Sequence, residues 1–105
     1  MYTTVMTINI KPGMWEETWQ TWQNIIHSNT LDMTGFLDME ILINHEDQKI
    51  LEIAHWTDRI SAESSINSNM GTMMNAFSHV MQSPPTLEGF DTRTEIKPRE
   101  MAAMM

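Results

Sequence analysis

The sequence predicts a single α+β domain built on one antiparallel sheet. Four short segments rich in β-branched residues alternate with two longer segments of helical periodicity. The length of 105 residues fits one domain, since a domain has about 100–200 residues. Hydrophobic residues make up 41% of the chain, which is enough for a packed core and excludes a disordered chain.

Residues 3–10 form the first predicted strand, because apolar Met6, Ile8 and Ile10 alternate with polar neighbours. The strand ends at Lys11-Pro12-Gly13, where proline and glycine favour a turn.

Residues 14–28 form the first predicted helix. Trp15, Trp19, Trp22 and Ile26 recur at helical spacing, so we expect them to share one face. A face with three tryptophans is either core packed on the sheet or the aromatic wall of a ligand pocket or a dimer contact. The sequence leaves these interpretations open.

Residues 36–43 and 49–56 form the second and third predicted strands, joined as a hairpin by the polar turn 44–48. The period of two places Glu52, Ala54 and Trp56 on one face of the third strand. Apolar residues occur on both faces of this hairpin, so both faces need a cover. We expect the helices to cover one face and a partner subunit to cover the other.

Symmetrical pairing about that turn places Glu40 directly opposite Glu52, with Asp38 on the same face. Like charges in such positions repel. A buried pair would raise one pKa toward neutrality and provide a proton acceptor or donor. The alternative is a solvated edge.

Thr57-Asp58 predicts the start of the second helix. We expect this helix to run to about residue 68, to break near residues 69–71, and to resume over residues 72–82. Pro84-Pro85 then ends it. The fourth strand is predicted over residues 86–96, with a bulge at Gly89, so that the domain spans residues 1–97 and residues 98–105 form a flexible tail.

The order β-α-β-β-α-β is that of a ferredoxin-like fold, with a four-stranded antiparallel sheet and both helices on one face. Many functions share this fold, so the function has to be inferred from particular residues.

Composition excludes several classes of function. The chain has 6 basic and 14 acidic residues, so we expect neither nucleic acid nor a membrane surface as a partner. The absence of cysteine excludes disulfides and thiolate metal sites. No apolar run reaches the roughly 18 residues of a membrane span, and the first residues do not resemble a signal peptide. We therefore expect a cytoplasmic protein.

Four short motifs resemble the antibiotic biosynthesis monooxygenase superfamily: Ile10-Lys11-Pro12-Gly13, Gly35-Phe36-Leu37, Trp56-Thr57-Asp58 and Pro84-Pro85. The similarity covers roughly residues 3–96. It implies a homodimer whose two sheets close into a dimeric α/β barrel, with a pocket in each subunit between helices and sheet.

Members of this superfamily include anthrone oxygenases, which use neither metal nor flavin, and haem-degrading enzymes. The anthrone-oxygenase branch has a tryptophan at the end of the third strand, matched here by Trp56, and an asparagine four residues earlier. Glu52 occupies that asparagine position. A carboxylate there could act as a general base.

The haem-degrading branch is matched less well. Met6 replaces its asparagine on the first strand, and Ser65 replaces its tryptophan in the second helix. His79 lies only near the position of its axial histidine. We therefore expect no haem cleavage and no tightly bound cofactor, while haem binding stays open. Metal ligands at suitable spacing are lacking.

The resulting hypothesis is a cofactor-independent monooxygenase that oxidises a small aromatic, polyketide-like or quinol compound. Glu52 would accept a proton and His79 would hydrogen-bond a phenolic oxygen. The substrate would contact Trp56, Met6, Trp22 and Phe77. Twelve methionines suggest an adaptable apolar pocket. The alternatives are a non-catalytic ligand-binding or regulatory dimer and a haem-binding relative.

Overall fold

The computed structural model describes residues 1–28, 33–93, 96 and 98. It confirms the predicted α+β fold of ferredoxin-like type, with a four-stranded antiparallel sheet in the order β2-β3-β1-β4. The elements are β1 (Tyr2–Asn9), α1 (Trp15–Ser28), β2 (Phe36–Asn44), β3 (Lys49–Trp56), α2 (Arg59–Phe77) and β4 (Thr86–Asp91).

The hairpin register differs from the symmetrical pairing that we expected. Asn44 pairs with Lys49, so the turn has four residues instead of five, and Gln48 in it adopts a left-handed φ of 54°. Each partner therefore moves by one position: Glu52 lies opposite Ile41, and Glu40 lies opposite Ile53. A shift of one residue exchanges the two faces of a strand, so the predicted carboxylate pair does not form.

Helix α1 buries a slightly different stripe from the predicted one. Thr18 and Ile25 are buried and Trp22 is partly buried, whereas Trp19 is 40% exposed. Spacings of three and four residues keep Thr18, Trp22 and Ile25 on one side, and Trp19 lies one residue beyond Thr18, toward solvent. The side chain of Ile26, which we expected on the buried face, lies outside the described residues.

Helix α2 is continuous, so the predicted break near residues 69–71 was wrong. Asp58 caps its start by accepting a hydrogen bond of 2.7 Å from the Ser61 amide. Gly71 lies within the helix and has open space around it. One glycine costs a helix only about 1 kcal/mol, which packing on the sheet outweighs. The helix ends at Phe77, so the predicted continuation to residue 82 was also wrong.

Strand β4 ends at Asp91, five positions before the predicted end at residue 96. The reason is its neighbour: Asp91 pairs with Tyr2, the first residue of β1. Gly89 pairs with Thr4 in a regular register, so the predicted bulge is absent. A side chain at Gly89 would collide with the Tyr2 ring, which explains the glycine. Of the predicted tail, residues 98–105, only Pro98 is described.

The two sheet faces have different environments. Ile8 and Ile50 are buried beneath the helices. The opposite face carries Val5, Leu51 and Ile53, which are partly exposed in a single chain. Among the described residues, no helix is long and apolar enough to cross a bilayer.

Candidate functional site in a cavity between the second helix and the sheet

A cavity lies between α2 and the sheet and measures about 470 Å³, counting its open mouth. Methionine is the commonest lining residue, as expected for an adaptable apolar wall. The other apolar lining residues are Trp22, Trp56 and Ile66. The methionines are Met6, Met33, Met39, Met70 and Met73.

The alternation of β3 determines how the sheet contributes to the cavity. Glu52, Ala54 and Trp56 are all buried on the face that the helices cover. Ala54 is small and leaves space between the carboxyl group and the indole. The sequence prediction that Glu52 and Trp56 share a face is confirmed.

Trp56 is held in one orientation. Its Nε1–H donates a hydrogen bond of 3.0 Å to the Thr4 hydroxyl, and Phe36 packs edge-on against its ring at a centroid distance of 5.6 Å. The indole is 4% exposed. The hydrogen bond of the buried N–H and the edge-on contact with Phe36 hold the indole in place as a wall of the cavity.

Glu52 is the notable polar group of the cavity. It is 8% exposed and, within the described part of the chain, has neither a hydrogen-bond nor an ion-pair partner. Burial raises the pKa of Glu52 from the ordinary 4.5 to about 7, because the charged form loses its hydration. Such a carboxyl group can both accept and return a proton near neutral pH.

The other polar lining residues, Ser65 and Asn69, donate hydrogen bonds to backbone carbonyl groups of the protein. The Ser65 hydroxyl donates to the Thr34 carbonyl at 3.1 Å, and the Asn69 amide donates to the Ser65 carbonyl at 2.8 Å. Among the described residues that line the cavity, Glu52 is the only titratable one. Proton transfer to a bound molecule would therefore involve Glu52.

The predicted site residues do not all meet here. Met6 and Trp22 line the cavity with Glu52 and Trp56. Phe77 does not line this cavity. It is buried, its ring centroid lies 6.3 Å from that of Trp22, and it lines two smaller cavities.

His79 lies outside the site, contrary to its predicted position. Its side chain is 51% exposed, and its Nε2 lies 3.5 Å from a Glu17 carboxylate oxygen. The helix ends before His79, at Phe77, so the turn that follows carries the imidazole to the surface. His79 lines none of the cavities described here.

Sequence reasoning missed three apolar residues of α2 that line the cavity. Ile66, Met70 and Met73 line the cavity at spacings of four and three residues along one helix face. The expected break near Gly71 separated Met70 from Met73 and concealed this stripe. A helical periodicity read across the glycine would have revealed it.

No protein-family profile and no curated protein matches the chain. Solved structures do match. A monooxygenase of Streptomyces coelicolor, ActVA-Orf6, in complex with nanaomycin D, has a TM-score of 0.74 at 15% identity, covering 92% of this chain and 91% of its own. A structure named as an antibiotic biosynthesis monooxygenase has a TM-score of 0.70 at 12% identity, covering 90% of this chain and 100% of its own.

A third match is MhuD with manganese protoporphyrin IX bound, with a TM-score of 0.68 at 16% identity, covering 92% of this chain and 99% of its own. At these identities the likeness establishes the shared fold. The resemblance seen in the sequence is thus confirmed as a common architecture with structures that are named antibiotic biosynthesis monooxygenases.

Proposed function

We propose that this protein is a monooxygenase that acts on a small, flat, weakly acidic aromatic compound. The observation that carries the proposal is the unpaired, buried carboxyl group of Glu52 in a cavity with methionine and tryptophan walls. The shared fold with ActVA-Orf6, which was solved with nanaomycin D, supports a ring compound as ligand.

In the proposed reaction the Glu52 carboxylate accepts a proton from the acidic methylene carbon of an anthrone. The carbanion transfers electrons to dioxygen and forms a C–O bond, and the resulting peroxide takes the proton back. Loss of water then breaks the O–O bond and the remaining C–H bond. The balance is R–CH₂–R′ + O₂ → R–CO–R′ + H₂O, in which carbon is oxidised and dioxygen is reduced. Trp56 would support the ring.

We propose that the reaction needs no resident haem. Among the described residues no imidazole lines the cavity: His45 packs on Trp15 at 5.0 Å, and His55 lies beside Asp38 on the other sheet face. His79 is at the surface. The described residues of the cavity therefore offer no imidazole to hold a haem iron. A shift of the haemin Soret band upon mixing with the protein would contradict this.

We also propose a homodimer formed through the uncovered sheet face. The half-buried apolar side chains of Val5, Leu51 and Ile53 on this face support it, because contiguous apolar surface favours association. In this arrangement each chain retains its own cavity on the helix side.

The test of the proposed reaction is dioxygen consumption with 1,8-dihydroxyanthrone as the probe, corrected for uncatalysed oxidation. We expect the wild type to accelerate consumption with the anthraquinone as product. Glu52→Gln should lower kcat by about 10²–10⁴, and Glu40→Gln on the opposite face is the matched control. Binding without dioxygen consumption would favour the non-catalytic alternative and contradict the proposal.

A further inference from the structure

The sheet face that the helices leave uncovered carries a histidine–aspartate pair. His55 Nδ1 lies 2.5 Å from a carboxylate oxygen of Asp38, which is its partner on β2. In the single chain the imidazole is 32% exposed and the carboxylate is 70% exposed. Side chains that pair directly across antiparallel strands lie on the same face. The pair therefore shares its face with Ile53, two positions before His55 on β3.

The pair lies within the apolar surface of this face. Along β3 its neighbour is Ile53, and across the sheet Thr3 lies between His55 and Phe90, which is 49% exposed. A partner that covers both Ile53 and Phe90 therefore also covers His55 and Asp38. The apolar side chains on this face are Val5, Leu42, Leu51, Ile53 and Phe90.

The charged groups on this face are mostly acidic. Besides the pair they are Glu40 on β2, Lys49 on β3 and Glu88 on β4, whereas β1 contributes uncharged residues. With a neutral imidazole the carboxylates outnumber the one lysine. In a homodimer formed through this face, two such acidic surfaces approach each other, and like charges repel. A proton on His55 reduces this excess of negative charge in each subunit.

We infer that a proton on His55 regulates the homodimer, so that association tightens as pH falls from about 8 to about 6. The inference rests on the dimer proposed above, which buries this face. If the imidazole is neutral, burial leaves the Asp38 carboxylate as an uncompensated charge, which is costly, whereas a protonated imidazole compensates it. The dimer thus binds the proton more tightly than the monomer does. By linkage, a lower pH then favours the dimer.

His55→Gln tests the inference, because glutamine can still hydrogen-bond to Asp38 but cannot take up a proton. His79→Gln is the matched control. His79 also lies beside a carboxylate, that of Glu17 at 3.5 Å, but it follows α2 on the helix side of the sheet. Asp38→Asn removes the other member of the pair and serves as the second test if His55→Gln does not fold.

Sedimentation velocity over a series of protein concentrations gives the Kd of the dimer at the two pH values. We expect the wild-type Kd to be about tenfold lower at pH 6 than at pH 8. His79→Gln should keep this difference, and His55→Gln and Asp38→Asn should lose it. If the wild-type Kd is too low to measure, Val5→Ala on the same face weakens association and brings every variant into range.

Glu52 is the competing group, because its pKa of about 7 lies in the same range, but it lies on the helix side of the sheet. Loss of the pH difference in Glu52→Gln with its retention in His55→Gln would overturn the inference. A wild-type dimer with the same Kd at both pH values would also overturn it while leaving the dimer itself in place. A wild type that is monomeric at both pH values would contradict the dimer and the inference together. Dioxygen consumption with 1,8-dihydroxyanthrone tests the proposed reaction separately from either result.

Discussion

The indole of Trp56 and the hydroxyl of Thr4 are joined by a buried hydrogen bond of 3.0 Å between neighbouring strands. Thr4 is 6% exposed, and it pairs with Ala54, two residues before Trp56 on β3. The bond fixes the plane of the indole that walls the cavity. The cavity therefore depends on a residue that does not line it.

Thr4→Val should destabilise the protein, because the substitution keeps the shape of the side chain but leaves the Trp56 N–H without its acceptor. An unsatisfied buried donor costs about 1–3 kcal/mol. Urea denaturation measures this free energy of unfolding. Thr7→Val, on the opposite face of β1, is the control and should change it by less than about 0.5 kcal/mol. Equal stability of the two variants would show that the hydrogen bond contributes nothing.

Glu52 should make the protein less stable as pH rises. In the folded state its pKa is about 7 and in the unfolded chain about 4.5, so between these values the folded state binds more protons. The free energy of unfolding is therefore undiminished by Glu52 below pH 4.5, and the protein loses part of it as pH rises through about 7. This rise in pKa corresponds to about 3 kcal/mol.

Glu52→Gln removes this titration. Urea denaturation at several pH values should show the variant more stable than the wild type at pH 8, with the difference disappearing toward pH 4. A parallel pH dependence of the two proteins would indicate that another group is responsible.

Trp56→Ala should weaken ligand binding more than it weakens folding. Loss of a large buried aromatic side chain costs about 3–5 kcal/mol if its role is purely that of core. Denaturation gives this cost, and fluorescence titration with 1,8-dihydroxyanthrone gives the affinity of the folded fraction. If the protein unfolds at that cost while the affinity of the folded fraction is unchanged, Trp56 is core and its assignment to the site is wrong. Trp56→Phe keeps the fold if Trp56→Ala does not.

Replacing each of two glycines by alanine should change the stability of the protein in opposite directions. Gly35 has a φ of 77°, and a side chain there would collide with Ser61, so Gly35→Ala should destabilise by more than about 1 kcal/mol. Gly71 lies within α2 with open space around it, so Gly71→Ala should stabilise by up to about 1 kcal/mol. Thermal unfolding of both variants checks the contrast.

The homodimer is tested by sedimentation velocity at micromolar concentration. We expect a dimer for the wild type and a monomer for Ile53→Lys, because a charge on the uncovered sheet face would have to be buried. Ile60→Lys changes an isoleucine that is 80% exposed on α2 and should leave the dimer intact. A stable wild-type monomer would refute the proposed assembly.

Local sequence patterns were enough to predict the order of strands and helices and to place Glu52, Ala54 and Trp56 on one face of β3. Local periodicity suffices for this, since alternation along a strand depends on neighbouring residues alone. Which face of the third strand is buried was not visible in the sequence, because apolar residues occur on both of its faces.

Which side chains meet depends on contacts between elements that are distant in the chain. The turn of four residues set Ile41 and not Glu40 opposite Glu52, a difference of one position that sequence symmetry does not reveal. The end of α2 at Phe77 carried His79 to the surface. The continuity of α2 through Gly71 brought Met70 and Met73 to the cavity, because packing on the sheet outweighs the small helical cost of one glycine. The raised pKa of Glu52 arises in the same way, from burial that depends on elements distant in the chain.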